Sequence, residues 1–203
     1  MAAIPRRRPS VQSLRDCRVI SHRGEHDNKT VLENTLPAFA RARQAGVWGI
    51  ECDMAEFGGN THLMLEIKAE DFPAPQRQQH ILQDALAGLE PGRDYHFLAL
   101  DPALFELVAF VPRNVCFPVA ELNGSALSRL SLERGYGGIT GHYLLLNNAL
   151  KRAHEAAGQR IGTGFVDSRN CLFRELNRGV TWIFSNRAVQ VQAVRDACLR
   201  PSG

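Results

Sequence analysis

The sequence predicts an α/β fold in which eight parallel strands alternate with helices and close into a (β/α)8 barrel. Three observations lead there. Eight short apolar runs are separated by stretches with the apolar spacing of helices. Residues 19–53 read as a complete strand–loop–helix–strand unit, the parallel crossover. The ionisable residues of that unit collect at the carboxyl ends of its two strands, where barrels of this type build active sites.

The first unit sets the pattern. An apolar run over 17–21 stops at His22-Arg23-Gly24, and a polar loop leads to Glu33-Asn34-Thr35. From there Leu36, Phe39, Ala40 and Ala42 fall on one helical face, Asn34 or Thr35 is a suitable N-cap, and Gly46 closes the helix. The strand over 48–54 carries Glu51 and Asp53 two residues apart, hence on one face.

A third strand covers 60–68, with Glu66 and Lys68 alternating on it. A Gln-rich helix over 73–89 carries apolar Ile81, Leu82, Ala85 and Leu86 and ends at Glu90-Pro91-Gly92. The fourth strand, 95–100, gives way at Asp101-Pro102 to a helix reaching about residue 110. Strand five spans 114–120, with Glu121 and Asn123 just beyond it, and a helix follows over 125–134. Strand six spans 136–141 and ends in His142-Tyr143. An amphipathic helix over 144–157 stops at Gly158. Strand seven covers 160–166, and the next helix, 168–178, stops at Gly179. Strand eight spans 180–186, and the last helix spans 189–199. Residues 1–15 read as a loose tail or short covering helix, so 1–203 form one domain.

One interval departs from the pattern. Only six residues, 55–60, separate Met54 from Thr61. Parallel neighbours need a crossover of about a dozen residues, usually a helix. Either strands two and three are not neighbours, or this crossover is shortened.

Composition narrows the function classes. Of 203 residues 44% are hydrophobic and 22% charged, values of a globular chain with a sizeable core. The net charge of +3 owes much to Arg6-Arg7-Arg8, which lacks the interleaved aromatic residues of a nucleic-acid surface. Cys17, Cys52, Cys116, Cys171 and Cys198 show no metal spacing, and four of them lie in apolar runs, so reduced buried thiols are expected. No apolar stretch approaches 18 residues, and 1–10 lacks the apolar centre of a signal peptide. A cytoplasmic protein without stable membrane insertion fits.

Two carboxylates on a strand face that would otherwise be aliphatic repel each other unless a cation lies between them. Glu66 faces the same side from the next strand. Three carboxylates and water suit a hard cation, Mg²⁺ or Ca²⁺.

The order His22-Arg23-Gly24, Glu33-Asn34-Thr35 with a following Ala38-Phe39, Glu51-Cys52-Asp53 and Leu65-Glu66-Ile67-Lys68 resembles the glycerophosphodiester phosphodiesterase family. The resemblance runs, more weakly, to the strand near Trp182. It implies a TIM barrel of the PLC-like phosphodiesterase type and hydrolysis of glycerophosphodiesters to glycerol 3-phosphate and an alcohol. By the same resemblance Glu51, Asp53 and Glu66 hold one divalent cation and His22 is catalytic. Arg23 and Lys68 face the phosphate, Trp182 packs on the glycerol side, and Glu33 supports the His22-Arg23-Gly24 loop. It also implies that the short 55–60 interval reflects loss of a hairpin carrying a second histidine, a capping insertion and the crossover helix between strands two and three. His62, about 13 Å before Glu66 along an extended strand, lies at the wrong end to replace that histidine. His26 and His142 lie on the correct side, whereas His80, His96 and His154 carry no motif.

Two further readings follow. The shortened barrel is a non-catalytic relic that keeps a metal or phosphate site, with its uncovered flank between strands two and three paired in a homodimer. Alternatively it is a lysophospholipase D-like lipid phosphodiesterase, a reading that no apolar surface helix supports.

Overall fold

A computed structural model describes residues 4–52, 61–68 and 74–200. Its eight strands are all parallel and close in the order β1 to β8, as the alternation predicts. The elements are α1 (Val11–Asp16), β1 (Arg18–His22), α2 (Leu36–Gln44), β2 (Gly49–Cys52), β3 (His62–Ile67), α3 (Pro75–Ala85), β4 (Tyr95–Ala99), β5 (Cys116–Ala120), α4 (Gly124–Arg134), β6 (Gly138–His142), α5 (Asn148–Ala156), β7 (Arg160–Gly164), α6 (Arg169–Asn177), β8 (Trp182–Ser185) and α7 (Ala188–Leu199). Short 3₁₀ turns replace the helix expected after β4, the first of them capped by the Asp101 side chain accepting from the Ala103 N–H.

Strands β2 and β3 are parallel neighbours, with Gly49 opposite His62 and Cys52 opposite Leu65. The question raised by the short interval is thereby answered in favour of neighbours. Residues 53–60, and with them the expectation of a lost crossover helix, lie outside the described residues.

Strand parity sorts the core into two clusters. Side chains pointing outward from the strands, among them Val19, Ile50, Leu65, Phe97 and Ile183, pack against the helices. Those pointing inward, Ile20, Met64, Leu98, Phe117 and Phe184, plug the barrel, with Trp182 below them. Gly162 leaves space for this plug, since a Cβ there would lie 2.7 Å from the Phe184 ring. The expected tail is partly built in: Ser10 caps α1, Leu14 is fully buried, and Arg195 of α7 donates from Nε to the Leu14 carbonyl at 2.8 Å.

Two of the boundaries that differ from the sequence expectation matter for the site. Helix α5 starts at Asn148 rather than 144, because the Asn147 side chain accepts from the Ala149 and Leu150 N–H groups and so fixes the start of the helix. Strand β7 ends at Gly164 because Phe165 adopts φ +62°, outside the strand region.

Buried cysteines behave as small apolar side chains. All five are free, and burial pushes the Cys17 and Cys116 thiols up to about 12.

Candidate active site at the carboxyl end of the barrel

A cavity of about 650 Å³ opens at the carboxyl ends of the strands. His22, Arg23, Glu51, Glu66 and Lys68, all from or just after β1 to β3, line one side of it. The opposite side comes from β4 to β8 and is mostly carbon, including Leu98, Val119 and Phe184.

His22 closes β1 and stands directly opposite Glu51 in the β1–β2 register. Its Nε2 is 3.6 Å from a Glu51 carboxylate oxygen, and Glu51 is 2% exposed. Its Nδ1 lies 2.7 Å from the Asn186 side-chain oxygen. That oxygen can only accept, so Nδ1 carries the proton, and in the neutral ring Nε2 is left with its lone pair. Asn186 is itself held by Asp167, which takes the Asn186 backbone N–H at 2.9 Å, its amide nitrogen at 3.3 Å and the Ser185 hydroxyl at 2.8 Å. Burial pulls the His22 pKa below the ordinary histidine value, outweighing the opposite effect of the Asn186 hydrogen bond.

Arg23 takes φ +59°, a conformation that costs a non-glycine residue about 1–3 kcal/mol. The loop holds it there through three contacts. The Arg23 N–H donates to the Glu51 carbonyl at 2.9 Å, the Asn34 N–H donates to the Arg23 carbonyl at 3.0 Å, and Arg23 Nη1 meets Glu33 at 2.8 Å. The Arg23 hydrogen bond and charge outweigh partial burial and lower the Glu33 pKa. Thr35 then caps α2. The two motifs that flank the loop are therefore in direct contact.

Glu66 on β3 and Lys68 just beyond its end face the cavity together, with Nζ 2.5 Å from the carboxylate. Glu51 and Glu66 supply oxygen donors of the kind a hard divalent cation takes. Asp53, the third ligand expected from the motif, lies outside the described residues. Among the described residues no group of three or more His, Cys, Asp or Glu could hold a metal ion.

Trp182 is a correction. It does not line the cavity but opens β8 opposite Arg18, at the amino end of the barrel. Its indole packs on Trp48, His96 and Phe117, with ring centroids 5.8, 4.9 and 5.0 Å away. As the first residue of β8, with its side chain turned inward, it fills the floor of the barrel. His62 lies on the same floor, stacked on Trp48 and bonded to His96, as the strand arithmetic indicated. Of the two histidines expected on the correct side, His142 lines the cavity, while His26 lies beside Glu33 at 3.8 Å and does not.

Fold and site together define a (β/α)8 barrel with a cavity at the carboxyl ends of its strands, lined on one side by ionisable residues. No protein-family model matches the chain, and no curated protein matches it. Solved structures do. A glycerophosphodiester phosphodiesterase from Parabacteroides distasonis shares 16% identity over 91% of this chain and 99% of its own, with a TM-score of 0.71. A putative glycerophosphodiester phosphodiesterase from Galdieria sulphuraria shares 15% over 89% and 98%, with a TM-score of 0.70. An Oleispira antarctica phosphodiesterase, solved with its product sn-glycerol-3-phosphate, shares 15% over 88% and 96%, also at 0.70. Over about nine-tenths of its length the chain has the fold of these glycerophosphodiester phosphodiesterases.

Proposed function

We propose that this protein hydrolyses glycerophosphodiesters to glycerol 3-phosphate and an alcohol, with help from a divalent cation. The observation that carries the reading is the pairing of His22 with Glu51 across β1 and β2, in one cavity with Arg23, Glu66 and Lys68. The product named for the Oleispira phosphodiesterase of the same fold supports it.

Glu51 and Glu66, with Asp53 by resemblance, would hold the cation, which supplies positive charge where phosphate oxygens become more negative. The chain's own residues do the rest. Arg23 and Lys68 bind the phosphate, the first as a fork and the second as a point charge. His22 is neutral at pH 7, and its Nε2 takes a proton from the water that attacks phosphorus as the bond from phosphorus to the alcohol oxygen breaks. The imidazolium so formed lies against the Glu51 carboxylate and returns the proton to the leaving oxygen. Asn186 keeps the ring in the tautomer that this exchange needs.

The test is release of glycerol 3-phosphate from glycerophosphocholine in Mg²⁺, Ca²⁺ or EDTA. Turnover should require the cation, and His22→Ala should lower it by about 10² to 10⁴. Turnover no greater than that of His22→Ala would overturn the reading and leave a non-catalytic barrel.

A further inference from the structure

The amino end of the barrel holds a second polar cluster, which hydrolysis at the other end does not use. Arg18, His62, His96, Arg160 and Trp182 each lie two residues before Ile20, Met64, Leu98, Gly162 and Phe184 on their strands. They therefore turn inward with them and form the lowest layer of the barrel. Such layers are ordinarily filled by Val, Ile and Leu, whereas four of these five side chains are ionisable.

A cavity of about 250 Å³ opens below this layer, lined by Arg18, Trp48, His96, Arg160 and Trp182 together with Asp16. Each guanidinium lies over an indole: Arg18 is 5.8 Å from the Trp48 ring centroid and Arg160 5.4 Å from that of Trp182. Stacking holds both cations by their faces and leaves their N–H edges for a ligand. Among the described residues neither has an ion pair, and Arg18 reaches only the Arg15 carbonyl, at 3.4 Å. The carboxylate of Asp16 is taken by the Gln12 amide nitrogen, at 2.8 and 2.9 Å. The cavity is thus net positive.

His96 adds a selective feature. It is 2% exposed, and its Nδ1 is 2.7 Å from His62 Nε2. His62 Nδ1 lies 2.8 Å from the Arg93 carbonyl, which can only accept. In the neutral pair each Nδ1 therefore donates, and His96 Nε2 turns a lone pair to the cavity. A bare anion such as sulfate would set one acceptor against another there. An anion that carries its own proton satisfies the arginines and the histidine together.

We propose that the floor of the barrel binds hydrogen phosphate, its charged oxygens on Arg18 and Arg160 and its P–OH donating to His96 Nε2. The titratable and charged groups that face His96 are His62 of β3, Arg160 of β7, Arg18 of β1 and Asp16 of α1, with Asp94 acting on His62 behind it. Burial and the Arg160 charge keep both rings neutral at pH 7, so the lone pair is present there.

Ring-nitrogen NMR of histidine-labelled protein tests this, because His96 and His22 report separately on the two ends of the barrel. At pH 7 inorganic phosphate should move the His96 Nε2 resonance saturably. Sulfate should bind there at least about tenfold more weakly, since it leaves two acceptors face to face. Methyl phosphate loses its second proton near pH 6, so its binding should weaken between pH 5.5 and 7.5 while that of inorganic phosphate persists. That contrast separates the free ion from the phosphate of an ester. Arg160→Ala removes an exposed side chain at the end opposite His22. It should weaken the His96 response to phosphate by about tenfold or more and leave turnover of glycerophosphocholine unchanged. A His96 resonance unmoved by phosphate, or moved equally by sulfate, would overturn the proposal and leave a floor filled by water. So would ester binding that stays level to pH 7.5, or an undiminished response in a folded Arg160→Ala protein.

Discussion

The Nδ1 of His22 and the side-chain oxygen of Asn186 are 2.7 Å apart although 164 residues separate them in sequence. Barrel closure brings them together. Ser21 pairs with Ser185 across the seam between β1 and β8, so the residues that follow on each strand meet at the carboxyl end. Asp167, from the loop after β7, fixes Asn186 through both its backbone and its amide. The resulting line of groups acts on His22 through orientation and tautomer.

Removing that line should therefore cost rate without removing the base. Asn186→Ala is expected to lower kcat by a factor on the order of 10², the scale set by misplacing a reacting group. The hydrogen bond from His22 to Asn186 raises the His22 pKa against burial, so its loss should move the acidic limb of the kcat/KM profile to lower pH. Asp167→Ala should show a smaller effect of the same sign. A drop in kcat with an unmoved pH profile would mean that Asn186 serves the fold rather than the histidine.

Gly24 is the next point of leverage. It takes φ +81°, and a Cβ there would stand 2.8 Å from the Ala38 backbone carbon, 2.8 Å from the Ala38 Cβ and 2.9 Å from the Phe39 ring. The loop after β1 thus lies directly on the first turns of α2. Gly24→Ala should destabilise the protein by about 1–3 kcal/mol, combining left-handed strain with a displaced helix. Because Arg23 sits one residue earlier, phosphate affinity should fall as well. Urea denaturation and calorimetric titration with inorganic phosphate would measure the two effects, and a fully stable Gly24→Ala protein would contradict the close contact.

The motifs on β1, α2, β2 and β3 were legible in the sequence because each is contiguous and each ends a strand or opens a helix. Period and parity then set which side chains share a face. What lay beyond reach depended on closure and on capping. Asn186 and Asp167 are ordinary turn residues until β8 is laid beside β1. Trp182 is tied to the glycerol side by resemblance alone, whereas its place opposite Arg18 puts it at the amino end of the barrel. Leu144 fits the apolar spacing of a helix, yet the Asn147 cap starts α5 later and leaves Leu144 48% exposed at the mouth. His62 shows the converse: counting residues back from Glu66 was enough to put it on the floor.

That floor carries the last prediction. His62 Nδ1 donates to the Arg93 carbonyl at 2.8 Å, which leaves Nε2 to accept from His96 Nδ1 at 2.7 Å. Both rings are buried, at 6% and 2% exposure, between Trp48, Trp182 and Phe117. Burial lowers their pKa values to about 4 for His62 and about 3 for His96, with the Arg160 charge adding to the effect on both. The unfolded chain, with ordinary histidines near 6.5, binds protons that the folded protein refuses. The stabilising contribution is therefore complete above pH 6.5 and is lost as pH falls from there towards about 4. Across that window each histidine should remove about 1.4 kcal/mol of stability per pH unit. Urea denaturation at pH 7, 6 and 5 should show this slope, and His96→Gln, which leaves one titrating ring, should reduce the pair's share of it by roughly half. Equal stability at pH 7 and pH 5 would mean that the buried pair accepts a proton within the folded barrel.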